Sequence, residues 1–222
     1  MISKKTELKN SESWVNSREF KTDLLLGLFI GSLIMANILG TKITTILGVR
    51  VSVGIFFVPI LFLVTDIVAE VHGRKKAQSF VLIALIVMLF SLLMTALSIF
   101  MPPNPTWGNQ EAYRTIFGAT IRMTVASIIA FLMAQYHDIW AFDFLKKKMK
   151  GKKLWLRNNL STWVSQFIDT TVFMFIAFYH INPKFTVPFI FSLIIPYWLF
   201  KVVFAVLDTP LCYWGVWWLK KK

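Results

Sequence analysis

The sequence predicts an all-α integral membrane protein of six transmembrane helices, with both ends in the cytoplasm. Three observations predict it. Hydrophobic residues make up 56% of the 222 and charged residues only 16%, whereas a soluble domain keeps roughly a quarter of its residues charged. Six apolar runs, at about 24–39, 55–71, 79–100, 116–136, 160–181 and 189–216, alternate with short polar or basic segments, and about 20 mostly apolar residues carry a helix across the hydrocarbon core. Lys and Arg concentrate in every second connection. The length suits one unit: a cytoplasmic tail over 1–22, a membrane domain over 23–218 and a basic cytoplasmic end over 219–222.

The elements follow in order. Residues 1–23 are polar and mixed in charge, and the first apolar run continues as a full span, so no cleavable signal peptide is expected. The third run is the cleanest, with no charge from Ser79 to Phe100. The last is long and holds Pro196 and Pro210, which predict a kink or a partly interfacial end. Trp214, Trp217 and Trp218 before three lysines form an interfacial anchor.

Orientation follows from the cations. Lys4, Lys5, Lys9, Arg18 and Lys21 precede the first span; Arg74, Lys75 and Lys76 follow the second; seven more lie between 146 and 157; Lys220, Lys221 and Lys222 close the chain. The other side carries only Lys42, Arg50, Arg114 and Lys184. The positive-inside rule places the crowded side in the cytoplasm. This split also explains the formal net charge of +13 without nucleic acid, whose binders present their cations on a soluble face.

The outer connections differ. Val49-Arg50-Val51-Ser52-Val53 alternates and reads as a short extended piece, a lid or re-entrant strand or else an ordinary surface loop. Residues 101–108, with Pro102, Pro103 and Pro105, form a stiff external turn. Three spans on each side of the midpoint give halves of opposite orientation, as in inverted-repeat transporters, although the halves share only short Asp/Thr pairs.

Chemistry concentrates in ionisable residues inside the runs: Asp66 and Glu70, Arg122, Asp169, Lys201 and Asp208. Each costs about 2.5–3.5 kcal/mol at a helix centre on insertion scales, and such residues persist where they face one another, a cavity or a ligand. The alternative is a mutual ion-pair network that merely orders the bundle. Asp66 and Glu70 are four apart on one helical face; Glu70, near His72, Arg74 and Lys75, reads as interfacial. Lys201 and Asp208 share a face and pair with each other or with Asp66 and Asp169. Gly118, Arg122, Ala126, Ala130 and Ala134 recur in steps of four, a stripe that lets another helix approach, within the bundle or across a dimer seam. Gly27 and Gly31 make a GxxxG pair, a common packing device.

Other classes are excluded or weakened. There is no Walker loop, GxSxG or HExxH, so neither a one-chain ATP-driven pump nor a membrane hydrolase with a recognisable nucleophile fits. His72, His137 and His180 fall near span ends without metal spacing. The single Cys212 excludes an intramolecular disulfide. No metal, cofactor or catalytic residue is expected.

Several separated motifs carry a family resemblance. They are Val58-Pro59 continuing to Thr65-Asp66, Glu70 and His72-Gly73; Arg122 with Ala126-Ser127 and on to Gln135 and Asp138; Ser161-Thr162-Trp163 with Gln166 and Asp169-Thr170; and Phe200-Lys201. In that order and spacing, over about 30–216, the chain resembles the queuosine-precursor transporters, also called the vitamin uptake transporter family. The family is distantly similar to the six-helix substrate-binding components of energy-coupling-factor importers. Glu70 departs from the pattern, its position not being uniformly acidic in the family.

The resemblance implies uptake of a 7-deazaguanine, namely the 7-cyano or 7-aminomethyl precursor of queuosine or the queuine base, across the bacterial inner membrane. The expected binding set is Asn37, Thr65, Asp66, Arg122, Ser127, Gln166, Asp169, Lys201 and Asp208. A carboxylate, Asp169 or Asp66, matches the adjacent N–H and NH2 donors of such a base, and Asn37, Gln166 or Arg122 meets its carbonyl. Partners are this purine-like small molecule and the lipid bilayer; a homodimer is left open. A stand-alone secondary carrier or facilitator is the leading reading. The others are a binding subunit that needs a separate ATPase module, and a membrane scaffold or enzyme in which the charges are structural.

Overall fold

Inside a bilayer every backbone N–H and C=O must find a partner within the protein, which leaves a long apolar run little choice but the α-helix. The computed structural model describes residues 14–15, 17–148, 154–207 and 209–221. Helix α1 spans Arg18–Leu39, α2 Val58–His72, α3 Arg74–Phe100, α4 Gln110–Lys148, α5 Leu154–Phe178, α6 Val187–Leu207 and α7 Thr209–Lys220. Among the described residues, five segments are long and apolar enough to cross a membrane: Arg18–Leu39, Val53–His72, Lys75–Phe100, Gln110–Ala134 and Val187–Phe204. In α5 the described apolar part is shorter, Trp163–Phe178. The chain is an all-α membrane protein apart from one small hairpin.

Local chemistry sets the ends. Ser17 caps α1, its hydroxyl accepting from the Phe20 N–H at 3.1 Å, and Glu19 lies in the first turn, where the helix dipole favours an acid. At 39 residues, α4 is about 58 Å long at 1.5 Å per residue, so it runs well past the apolar stretch read at 116–136. The run at 189–216 resolves into two helices. Pro196 sits inside an unbroken α6, whereas Pro210 occupies the first turn of α7, where its missing N–H costs nothing.

The segment between α1 and α2 is more regular than alternation alone indicated. Strand β1 (Ile43–Ile46) pairs antiparallel with β2 (Val49–Ser52), Ile46 opposite Val49 and Ile43 opposite Ser52. The turn is two residues, Leu47 at φ 49° and Gly48 at φ 79°, the positive-φ pair that matches strand twist. A 3-10 turn over Val53–Phe57 leads into α2. The hairpin is anchored: Val51 and Ser52 are buried, and the Arg50 guanidinium lies 5.3 Å from the Phe189 ring centre on α6.

Two buried clusters hold the bundle. One joins Leu25 and Phe29 of α1, Val64, Ile67 and Val68 of α2, Phe80 and Ala84 of α3, and Leu219 of α7. The other joins Val51 and Ile55 to Met123 and Ala126 of α4, Met174, Ala177 and Phe178 of α5, and Ile190, Leu193, Ile194 and Tyr197 of α6. The exterior is apolar in turn: Leu82, Ile86, Phe90 and Leu93 form an exposed stripe along α3, as lipid requires. The small-residue stripe of α4 faces inward, with Ala126, Ala130 and Ala134 all buried, and α4 packs on α5 along much of its length. Gly27 and Gly31 have nothing within contact distance of a side chain built on them.

Candidate functional site

Asp169 lies near the middle of α5 and Lys201 in the second half of α6. Each would be costly alone. The fold joins them: Lys201 Nζ donates to Asp169 Oδ2 at 2.6 Å. The ammonium also lies 5.6 Å from the centre of the Tyr197 ring, one helical turn earlier, and the lysine is buried. Asp169 Oδ1 has no hydrogen-bond partner among the described residues. The carboxylate is thus held from one side and offers an acceptor on the other.

Asp169 borders a cavity of about 350 Å³, near the lower end for small-molecule sites, roughly 300–1,000 Å³. All six long helices contribute. Phe29, Leu33 and Asn37 come from α1, Phe62 and Thr65 from α2, Ala84 and Met88 from α3, Ser127 and Phe131 from α4, Ser165, Gln166, Asp169 and Phe173 from α5, and Tyr197 and Lys201 from α6. Ser52 and Gly54 bring the hairpin to it. The two buried clusters meet here, since Phe29 and Ala84 belong to one and Val58 and Tyr197 to the other.

Of the nine residues expected from sequence, Asn37, Thr65, Ser127, Gln166, Asp169 and Lys201 line this cavity. Three do not. Asp66 follows Thr65 but points about 100° further round α2, to an exposed position outside the lining. Arg122 is occupied by α5: its Nε donates to the Ile176 carbonyl at 2.6 Å and its Nη2 to the Tyr179 carbonyl at 2.5 Å, satisfying acceptors that the end of a helix leaves open. Asp208 lies outside the described residues. Glu70, at the end of α2, is exposed.

The polar groups on the cavity are oriented. Asn37 Nδ2 donates to the Leu33 carbonyl at 2.8 Å, which leaves its Oδ1 as an acceptor. Thr65 commits its proton to the Phe62 and Leu61 carbonyls. Gln166 and Ser127 make no side-chain hydrogen bond among the described residues and keep both donor and acceptor capacity. Ser52 donates to the Gly40 carbonyl at 2.7 Å and accepts from the Gly54 N–H at 3.2 Å, tying the hairpin to the end of α1. Ser165 is 3.0 Å from His137 Nδ1, so a histidine read as interfacial supports the cavity wall from behind.

Sequence reasoning did not single out Ser52, Tyr197 or the aromatics Phe29, Phe62, Phe131 and Phe173. Tyr197 had a signal, four residues before Lys201 on the same face. The phenylalanines had none, being 4 of 21. Together the lining offers flat apolar faces around a short polar edge, with a paired carboxylate, an ammonium, an amide and hydroxyls. Such a site suits a small planar heterocycle that both donates and accepts.

Known proteins agree in kind. Residues 52–215 match the family described as "Putative vitamin uptake transporter". The chain is 28% identical over 193 residues to the "Probable queuosine precursor transporter" of Bacillus subtilis (strain 168), covering 85% of this chain and 82% of that protein. It is 27% identical over 163 residues to the "Queuosine precursor transporter" of Escherichia coli (strain K12), covering 73% and 71% respectively. No solved structure matches the chain.

Proposed function

The chain belongs to the vitamin uptake transporter family, and from that premise we propose that it imports a queuosine precursor, a 7-deazaguanine, as a stand-alone, non-enzymatic secondary carrier. It is a multi-pass protein of the bacterial inner membrane. The proposed topology has six spans with both ends cytoplasmic, α5 supplying the sixth and α7 lying at the inner interface. Eighteen of the 24 basic residues then face the cytoplasm. Helices α1–α3 and α4–α6 form two halves that rock about the cavity between them.

The observation that carries the substrate reading is Asp169, held by Lys201 at Oδ2 while the residue lines the cavity. A 7-deazaguanine presents a ring N–H beside an exocyclic NH2, and a carboxylate accepts from such an edge. Lys201 holds and aims the carboxylate. Gln166, Ser127 and Asn37 complete the polar rim toward the carbonyl and the 7-substituent. One of Phe62, Phe131 or Phe173 stacks on the ring, worth about 1–3 kcal/mol by analogy with base stacking on aromatics. Arg122 takes a supporting place at the end of α5.

The test is uptake of labelled precursor by cells that cannot make their own, in a host without an energy-coupling ATPase module. Expression of this chain should restore accumulation, and Asp169→Asn should abolish it at near-normal membrane abundance. Wild-type uptake by the Asn variant would overturn the assignment of Asp169. Uptake only with an added ATPase module would make the chain a binding subunit.

A further inference from the structure

A second, smaller chamber lies directly beside the cavity. It holds about 30 Å³ and is bounded by α1, α3 and α4, through Ile34, Asn37, Ile38, Met88, Ser91, Leu92, Thr95, Thr120, Ile121 and Thr124. Asn37 and Met88 line both spaces. Relative to the cavity, the chamber is displaced toward the end of α3 and the start of α4, the outer side in the proposed topology.

Four of its polar groups share one property. Thr95 donates its hydroxyl proton to the Ser91 carbonyl at 2.7 Å, Thr120 to the Ile116 carbonyl at 3.0 Å, and Thr124 to the Thr120 carbonyl at 2.9 Å. Asn37 gives an amide proton to Leu33. With those protons committed to the helices, the three threonine oxygens and Asn37 Oδ1 are left with lone pairs. Thr120, Thr124 and Asn37 are buried. Ser91 adds a further hydroxyl and Met88 a thioether, and the rest of the lining is hydrocarbon.

A chamber of this size holds one water-sized particle. Oxygen acceptors, with no guanidinium or ammonium among the described lining residues, repel an anion and suit a hard cation. No carboxylate lines the chamber among the described residues, which argues against a divalent ion, whose charge neutral oxygens compensate poorly. We infer that this chamber is a binding site for a monovalent cation, with sodium as the probe, coupled to the substrate cavity through Asn37. Asn37 lines both spaces. A cation bound on one side fixes the amide that meets the base on the other. Each ligand then tightens the other by the same factor, and an inward sodium gradient drives import. The coupling half of this inference rests on the proposed function; the site itself does not.

The experiment separates the two. The purified protein in detergent is titrated with sodium chloride, and with choline chloride at matched ionic strength, first without any base; thermal stability is the readout. Sodium should stabilise the protein and choline should not. Thr124→Val, which keeps the shape and removes the oxygen, should raise the half-saturating sodium concentration about tenfold or more, while Thr124→Ser, which keeps the oxygen, should not. Thr120→Val serves as the second variant should Thr124→Val lose stability. Uptake of precursor into proteoliposomes should then fall about tenfold when external sodium is replaced by choline.

Equal stability in sodium and choline, with uptake indifferent to sodium, would overturn the site and leave the transport reading standing, the chamber then holding water. Stabilisation by sodium that Thr124→Val abolishes, in a protein that neither binds nor moves a deazaguanine, would support the site and overturn the transport reading.

Discussion

Asp169 and Lys201 come from different helices, 32 positions apart in the chain, yet their charged atoms lie 2.6 Å from one another at the wall of the cavity. Removing one partner from such a pair costs more than removing both, because it strands the other charge in a weakly polar setting. Lys201→Met should therefore destabilise the protein by about 3–5 kcal/mol. Asp169→Asn with Lys201→Met should recover much of that loss while transporting nothing. Thermal unfolding of the two single variants and the double variant checks this as a cycle. Strict additivity would mean that the pair is not energetically coupled.

Arg122 makes a different prediction, because its two hydrogen bonds go to the backbone beyond Met174 rather than to the cavity. Arg122→Gln should lower stability by about 1.5–3 kcal/mol, the range for hydrogen bonds to a charged group. The half-saturating concentration of precursor should stay unchanged in the folded fraction. A large rise in that concentration at unaltered stability would return Arg122 to the binding set.

Lys21 ties the two ends of the described chain together. Its ammonium donates to the Lys221 carbonyl at 2.6 Å and the Trp218 carbonyl at 3.2 Å, and the residue is buried. A cation at the C-terminal end of α7 also meets the negative end of the helix dipole. Lys21→Met should loosen α7 selectively. Hydrogen exchange of the amides over 211–220 should quicken, with the cavity-lining segments of α5 and α6 unaffected. Uniform loss of protection throughout the bundle would contradict so local a role.

At Gly215, α7 packs close against α2. A methyl group there would come within 2.2 Å of Ile67 Cδ1 and 2.8 Å of its Cγ1. Ile67 is itself buried, so there is little room to yield. Gly215→Ala should cost about 1–3 kcal/mol through overpacking. Ile67→Val removes the Cδ1 atom and should return part of that loss in the double variant. The unfolding midpoints of the three variants decide it.

Much of the architecture was legible in one dimension. Lipid imposes a single requirement over about 20 residues, so a run such as 79–100 declares itself a helix whatever its neighbours are. The cost of a charge in hydrocarbon is equally local, which is why Asp169 and Lys201 stood out before any contact was known. The extended character of Val49–Val53 was visible by alternation. Its partner strand Ile43–Ile46 was not, because Ile43-Thr44-Thr45-Ile46 alternates nothing and gains its strand only by pairing.

The sequence by itself determined the environment, the helical class and the polar residues that needed company, because each follows from the free energy of one segment in one solvent. Only the tertiary structure decided which company they found. Thr65 reaches the cavity and Asp66 does not, a difference of one residue and about 100° on a helix. Arg122, on the same small-residue stripe as Ala126, goes to the carbonyls at the end of α5. Four phenylalanines among 21 become cavity walls. Those outcomes depend on the rotation of each helix against the others, set by packing that the whole bundle must satisfy at once.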